Sequence, residues 1–201
     1  MFSSFPKDIG AVRKLCYLSL VVRELRRNDI DSITGLPALT VLSLYVRQPP
    51  AESIIFNNGA FPALKYFKYM CGVLCLAFQE GALPNVHRLK LGFNARKGQQ
   101  YDVLLAGIQH LVNLKKIDGI IGAAEGAEGP DRSAAESAFK DTIHKHSKFP
   151  SYVNVKRVDW VEEENEPRTQ VNSSPKCHEI LQKQRGVNET EEDTKQFADS
   201  G

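Results

Sequence analysis

Segments typical of membrane and secreted proteins are missing from this 201-residue chain. No apolar run approaches the roughly 18 residues that a membrane span needs. Near the amino terminus, Pro6, Lys7 and Asp8 interrupt the sequence before the apolar core of a signal peptide could form. We therefore expect no membrane contact and a cytoplasmic location.

Cysteine is scarce as well, with four in the chain. Three residues separate Cys71 from Cys75, and no second cysteine pair or pair of histidines completes a zinc-binding pattern. Cys16 lies within an apolar run, where a free thiol behaves as a small hydrophobic side chain. The sequence therefore predicts no metal site and a reduced intracellular compartment.

Motifs that would indicate catalysis are absent. No G-x-x-x-x-G-K-[ST] or G-x-S-x-G motif occurs, and the glycine-rich loop of residues 119–129 lacks the Lys-Ser/Thr pair of a phosphate-binding loop. His144 and His146 would point to different faces of a helix. Carboxylates cluster only towards the carboxyl terminus, where nothing would hold them in a fixed geometry. We expect neither an enzyme nor a bound cofactor.

The net charge of +2 is small but unevenly distributed. Residues 161–201 contain ten acidic and five basic side chains, a net −5, so residues 1–160 carry +7. Such a basic body could meet an acidic partner, although an ordinary solvated surface is the alternative. No recognised nucleic-acid-binding module accompanies the basic side chains, so we expect no nucleic-acid partner.

The sequence does contain one repeated pattern, L-x-x-L-x-L. Successive copies start 24, 25, 22, 28 and 41 residues apart, and the first three spacings fit the window of about 20–29 residues for leucine-rich repeats. A short step such as Leu36-Pro37-Ala38 introduces several copies in the same phase, and proline fits the position just before a strand. The copies begin at Leu15, Leu39, Leu64, Val86, Leu114 and Val155.

The pattern predicts an α/β fold, a leucine-rich-repeat solenoid with a parallel β-sheet on its concave side and irregular helices on its convex side. Side chains alternate along a strand, so the fourth and sixth positions of each copy should enter the core. In the fifth copy these are Ile117 and Ile120, and in the sixth Val158 and Trp160. Strands are expected near residues 16–20, 40–44, 65–69, 87–91, 115–118 and 154–158, and helices near 23–34, 99–111 and 131–146, the last capped by Asp131 or Ser133.

About six irregular repeats form one expected domain, residues 1–160. The acidic remainder, residues 161–201, is predicted to be a disordered tail, because it has too little apolar surface to offset the entropy of ordering. Since a repeat array needs a cap at each end, the core edge near Phe5, Ile9 and Leu15 should be poorly covered.

The residues between the apolar positions of each strand should form the concave face, where separate repeats bring their side chains together. Tyrosine and arginine, which often contribute strongly to binding energy, occur among them. An ordinary solvated strand face is the alternative. The candidate protein-binding residues are Tyr17, Ser19, Val41, Ser43, Tyr66, Lys68, Arg88, Lys90, Lys116 and Arg157.

Three stretches resemble the late repeats of the nucleotide-binding, leucine-rich-repeat disease-resistance proteins of grasses. They are residues 21–31 with Leu36-Pro37-Ala38-Leu39, residues 81–96, and residues 131–138 followed by the strand of 150–159. The resemblance covers about residues 5–160. It implies a non-catalytic protein-interaction scaffold of plant innate immunity, whose partner is a pathogen effector or the nucleotide-binding module of a resistance protein.

Two departures from that family limit what carries over. The nucleotide-binding switch of the family is absent from this sequence, and only Asn94 matches the asparagine that regular repeats place after the strand. Two alternatives remain open. One is the leucine-rich-repeat substrate-receptor arm of an F-box ubiquitin ligase, and the other is a gene fragment without a function of its own.

Overall fold

The computed structural model describes residues 11–101, 104–145, 150–159 and 170–172. Within these residues, ten strands form two sheets, and two α-helices lie near the ends of the array. The strands are β1 (Tyr17–Val22), β2 (Val41–Val46), β3 (Ile54–Phe56), β4 (Tyr66–Cys71), β5 (Leu76–Phe78), β6 (Arg88–Ala95), β7 (Leu105–Ala106), β8 (Lys116–Ala123), β9 (Tyr152–Arg157) and β10 (Gln170–Asn172). The helices are α1 (Arg27–Thr34) and α2 (Gly129–His144).

The larger sheet confirms the repeat pattern. Its seven strands lie in the order β10-β1-β2-β4-β6-β8-β9, and the six predicted strands pair in parallel. The first five begin within one residue of the expected positions, because the L-x-x-L-x-L pattern marks where the backbone enters the sheet.

The core lies on one face of this sheet and continues beneath the connecting segments. Leucines at the fourth and sixth positions of the pattern, such as Leu18, Leu20 and Leu42, are fully buried. Phe56 joins the two sheets, with its ring centroid 5.5 Å from that of Phe67 in the large sheet and 5.3 Å from that of Phe78 in the small one. Each such side chain contributes about 1.5–3 kcal/mol by burial, so stacked repeats stabilise one another.

A second sheet on the convex side was not expected from the sequence. β3, β5 and β7 pair in parallel as a three-stranded sheet, where only irregular helices were predicted. The helix expected over 99–111 is therefore wrong: its described part contains β7 and a single 3₁₀ turn at Ile108–His110. Gly107 explains the failure, because its backbone is left-handed (φ +71°) and a Cβ there would meet the carbonyl oxygen of Phe78 at 1.9 Å.

The other two predicted helices are confirmed within a few residues. α2 begins with proline just inside its first turn, and the Asp131 carboxylate accepts hydrogen bonds from the backbone N–H of Glu128 (2.8 Å) and of Gly98 (3.1 Å). These bonds lower the pKa of Asp131, the one from Glu128 contributing most. No helix in the described part of the chain is long and apolar enough to cross a membrane.

α2 packs on β8 through a glycine. Gly119 occupies the sixth position of the fifth repeat, and the ring of Phe139 fills the space that a leucine takes in other repeats: a Cβ on Gly119 would meet the ring at 2.6 Å. The assignment of Ile120 to this core position is therefore wrong, since its side chain faces the opposite side of the sheet. Phe139 itself is fully buried.

The amino-terminal edge is better covered than predicted. Leu15 is fully buried, and β10 pairs antiparallel with β1, so the expectation of an uncovered edge is wrong at Leu15, while Phe5 and Ile9 lie outside the described residues. The prediction of a disordered tail fails for residues 170–172, and the rest of the tail lies outside the described residues.

Cys16, directly before β1, is disulfide-bonded. The prediction of a free thiol is therefore wrong for Cys16. The side chain of Cys16 is half-buried, so it is not part of the closed core, where a free thiol was expected. Cys71 and Cys75 are free.

Candidate protein-binding face

The face of the large sheet that points away from the core carries three rows of side chains, here called the open face. The strand register fixes each row, because residues paired across parallel strands stand side by side. The first row is Tyr17, Val41, Tyr66, Arg88, Lys116 and Tyr152; the second is Ser19, Ser43, Lys68, Lys90, Asp118 and Asn154; the third is Val21, Tyr45, Met70, Gly92, Ile120 and Lys156.

Nine of the ten candidate residues lie in the first two rows, and Arg157 does not. The sixth strand begins two residues earlier than predicted, and its core positions lie five residues earlier: Val153 and Val155 take them in place of Val158, while Trp160 lies outside the described residues. An odd shift moves every side chain to the other face. Arg157 accordingly lies on the helix side, where its Nε donates to a Glu136 carboxylate oxygen at 2.9 Å. Tyr152 takes its place in the first row.

Several candidates are more buried than an exposed strand face predicts. Val41 is 1% exposed, Ser19 3%, Ser43 6% and Tyr66 7%. The accessible part of the open face therefore consists of the half-buried basic side chains Lys68, Arg88, Lys90 and Lys116 and, at the edge strand β9, of exposed residues. The exposed residues are Tyr152, Asn154 and Lys156.

One buried carboxylate organises the basic side chains. Arg88 donates from Nε and a terminal nitrogen to the same oxygen of Asp118, both at 2.8 Å, and Lys116 lies 3.9 Å from the other oxygen. Asp118 is 8% exposed, so the pair is largely shielded from water. This contact links two neighbouring strands and holds the Arg88 guanidinium in one orientation.

Aromatic rings flank the same basic groups. The Arg88 guanidinium lies 5.4 Å from the ring centroid of Tyr66, and the Lys116 ammonium lies 4.1 Å from that of Tyr152. Lys68 makes a similar contact with Tyr45 at 4.5 Å. Each is a cation–π contact of about 0.5–1 kcal/mol at a partly exposed site, and together they limit the freedom of the long side chains.

Sequence reasoning missed the third row, which is mostly apolar. Met70 and Ile120 are each 2% exposed, with Tyr45 and Val158 packed against them. The strands extend two residues or more beyond L-x-x-L-x-L, so continuing the alternation two residues further along each strand would have placed Tyr45 and Met70 on this face.

The open face offers contacts and no catalytic arrangement among the described residues. No group of His, Cys, Asp and Glu side chains within them could hold a metal ion. Burial raises the pKa of the Cys75 thiol, which makes it a poor nucleophile at neutral pH. The side chains of the open face are those of a basic, aromatic binding surface.

Comparison with known proteins gives two matches. Residues 1–152 match the family model described as a leucine-rich repeat region. The chain is also 46% identical, over 202 aligned residues, to a rice protein (Oryza sativa subsp. japonica), disease resistance protein RGA5. The alignment covers 96% of this chain and 18% of the rice protein, so the chain corresponds to a small part of that relative. No solved structure matches.

Proposed function

Because the chain belongs to the leucine-rich-repeat family and is homologous to part of a disease-resistance protein, we propose that it is a non-catalytic protein-interaction scaffold of plant innate immunity. The similarity to a resistance protein favours this function over the substrate-receptor arm of a ubiquitin ligase. The proposed binding surface is the open face.

One observation carries the proposal: the register brings residues from separate repeats into rows of oriented basic and aromatic side chains. Lys68 and Lys90 stand side by side in the second row, and Arg88 lies between Tyr66 and Lys116 in the first. A rigid surface loses little entropy on binding, and tyrosine and arginine are common centres of binding energy.

The partner should present an acidic protein surface. Lys68, Arg88, Lys90 and Lys116 oppose the single carboxylate of Asp118, so these rows carry a net positive charge. Pathogen effectors and the nucleotide-binding module of a resistance protein are the two partner classes that the family membership supports. Electrostatic complementarity of this kind selects partners and speeds their association.

Titration calorimetry with a purified nucleotide-binding module and with candidate effectors tests the proposal. The double variant Lys68→Glu/Lys90→Glu reverses two charges on the open face and leaves the Arg88–Asp118 pair intact. We expect at least about tenfold weaker binding, a loss of about 1.4 kcal/mol.

The matched control is Lys14→Glu/Arg27→Glu, which makes the same charge change at exposed positions outside the open face. It should bind as the unchanged chain does. Equal losses in the two double variants would contradict the open face as the binding surface, and the absence of binding to both partner classes would contradict the proposed function.

The proposal includes a cytoplasmic location, where the free thiols of Cys71 and Cys75 are stable. The disulfide of Cys16 is the observation that opposes it. A fluorescent fusion of the chain expressed in leaf cells should fill the cytoplasm, and its accumulation outside the cell would contradict this part of the proposal.

A further inference from the structure

One edge of the large sheet is a strand whose side chains are more exposed than their counterparts in the neighbouring strand. β9 pairs with β8 on one side and, within the described residues, with no strand on the other. Its core-facing residues Val153 and Val155 are half-buried, whereas Ile117, which pairs with Val153 in β8, is fully buried. On the opposite face, Tyr152 is 40% exposed. The hydrophobic core is therefore partly open to solvent along this edge.

The backbone of β9 presents hydrogen-bonding groups along the same edge. The N–H of Tyr152 donates to the carbonyl oxygen of Lys115, directly before β8, at 3.1 Å. Because the amide groups of a strand point alternately to its two sides, those of Val153 and Val155 point away from β8. A row of outward-pointing N–H and C=O groups is a template for pairing with another strand.

The described elements on the core side leave room for such a strand. α2 lies over β8 and β6, about one and two strand intervals in from the edge. The side chain of Arg157 turns back towards α2, where its Nε donates to Glu136 at 2.9 Å. Within the described residues, a further strand can therefore approach β9 in the plane of the sheet.

The sequence of β9 is self-complementary in one antiparallel register. With Asn154 opposite Asn154 of a second copy, Val153 of each copy lies opposite Val155 of the other. These valines carry the outward-pointing amides, so each pair exchanges both of its backbone hydrogen bonds. Lys156 then stands opposite Tyr152, and no basic side chain faces another directly, a placement that would be destabilising.

We propose that two copies of this chain pair edge to edge through β9 in this register, about a twofold axis at Asn154. The pairing continues the large sheet from one copy into the other and covers the half-buried Val153 and Val155 of both. The contact uses the same strand of each copy, so it closes with two copies. A strand of six residues is only about 20 Å long, so the interface is small and the association weak.

The pairing has a consequence for binding. A twofold axis perpendicular to the sheet keeps the two open faces on the same side, so a partner with two acidic surfaces can contact both and gain avidity. The pairing itself does not depend on the proposed function, because it is measured on the chain alone. Its failure would leave the binding of a partner to a single open face untouched.

Disulfide trapping of the full chain tests the register. Residues directly opposite in a non-hydrogen-bonded pair have Cα atoms about 4.5 Å apart, which a disulfide can bridge. With oxidised glutathione as the oxidant, Asn154→Cys should form a covalent dimer at least about tenfold faster than the unchanged chain, because pairing raises the effective concentration of the two thiols. Non-reducing electrophoresis measures the dimer, and circular dichroism should show that the variant keeps its fold.

Two further variants are the controls for trapping. In Tyr152→Cys the two new thiols lie four residues apart along the paired strands, about 14 Å, which is too far for a disulfide. Gln100→Cys places a thiol at an exposed position in the loop after β6. Both should form dimers at the rate of the unchanged chain. Equal rates for Asn154→Cys and either control would overturn the proposed register.

Sedimentation equilibrium tests the pairing without a covalent link. The average mass of the unchanged chain should rise with concentration towards that of a dimer. Asn154→Asp places two carboxylates opposite each other at the axis and should weaken the association about tenfold. Gln100→Glu makes the same charge change at an exposed position away from β9 and should associate as the unchanged chain does.

A monomeric mass at every concentration up to about 1 mM would overturn the pairing. In that case the edge of β9 would be left for a strand of another protein. Equal weakening in Asn154→Asp and Gln100→Glu would also overturn it, because only net charge would then control the association.

Discussion

Individual residues on the open face have structural as well as binding roles. The Arg88–Asp118 pair is the clearest case, since the side chains of Arg88 and Asp118 are 21% and 11% exposed. Removing one partner of a shielded pair leaves a poorly solvated charge behind, whereas removing an exposed pair costs little. A binding defect in a variant of Arg88 could come from the lost pair with Asp118 or from a lost contact with the partner. Lys68 and Lys90 are therefore the better probes of recognition.

A double-mutant cycle measures this structural role. Arg88→Met should lower the free energy of unfolding by about 1–3 kcal/mol because Asp118 loses its closest partner. Asp118→Asn should restore part of that loss when combined with Arg88→Met. Urea unfolding gives the four values.

The control for this cycle is Arg26→Met, which breaks the exposed pair with Glu24 (3.3 Å, side chains 74% and 47% exposed). Its cost should stay below about 1 kcal/mol. Additive effects of the Arg88 and Asp118 changes would show that the pair does not couple the two strands.

At the scale of elements, α2 depends on the fit between Phe139 and Gly119. Gly119→Ala should destabilise the fold by about 1–3 kcal/mol because its Cβ meets a ring that is fixed in the core. Phe139→Leu costs stability alone, yet in the double variant the smaller side chain should relieve the clash. A double variant whose loss equals the sum of the single losses would show that the ring does not pack on this glycine.

The contact between α2 and β9 should make stability depend on pH. Lys140 and Arg157 bind the Glu136 carboxylate at 2.7 and 2.9 Å and lower its pKa, the hydrogen bond from Lys140 contributing most. A carboxylate with a lowered pKa stabilises the fold above its unfolded-state pKa, and this stabilisation is lost as pH falls through its folded-state pKa.

The free energy of unfolding should therefore fall between about pH 5 and pH 3, and less steeply in Glu136→Gln, which cannot titrate there. Chemical unfolding at several pH values measures both curves. Glu125→Gln, in the exposed loop before α2, should follow the unchanged chain. Parallel curves for the unchanged chain and Glu136→Gln would contradict a stabilising role of this carboxylate.

The elements also show how far sequence alone could go. The strands of the first five repeats could be predicted because every core position except that of Gly119 holds a large apolar residue, as Leu42 and Leu44 do in β2. The core positions of β9 were placed five residues late because Val153 and Val155 compete with Val158 for them, and only pairing with β8 decides between them.

Features that depend on contacts between distant segments escaped prediction. β3, β5 and β7 are two or three residues long, too short for a periodic signal, and they form only when the repeats stack. Gly119 breaks the repeat pattern. A larger residue does not fit there because the ring of Phe139, twenty residues further along the chain, fills the space.

On the scale of the whole molecule, two sheets whose repeat strands all pair in parallel support one surface that several repeats share. The chain alternates between them from β2 to β8, and α2 and β9 close the carboxyl-terminal end. The proposed activity is the selection of a protein partner by the charges and rings that these repeats bring together.

The rate at which a binding partner associates with the chain, measured as a function of salt concentration, tests this account most directly. At low salt, Lys68→Glu/Lys90→Glu should associate about tenfold or more slowly than the unchanged chain, and the difference should shrink above about 0.15 M, where screening acts within about 8 Å. Lys14→Glu/Arg27→Glu should match the unchanged chain at every salt concentration. Equal slowing in both double variants would contradict the account, because the net charge of the molecule, and not the open face, would then control association.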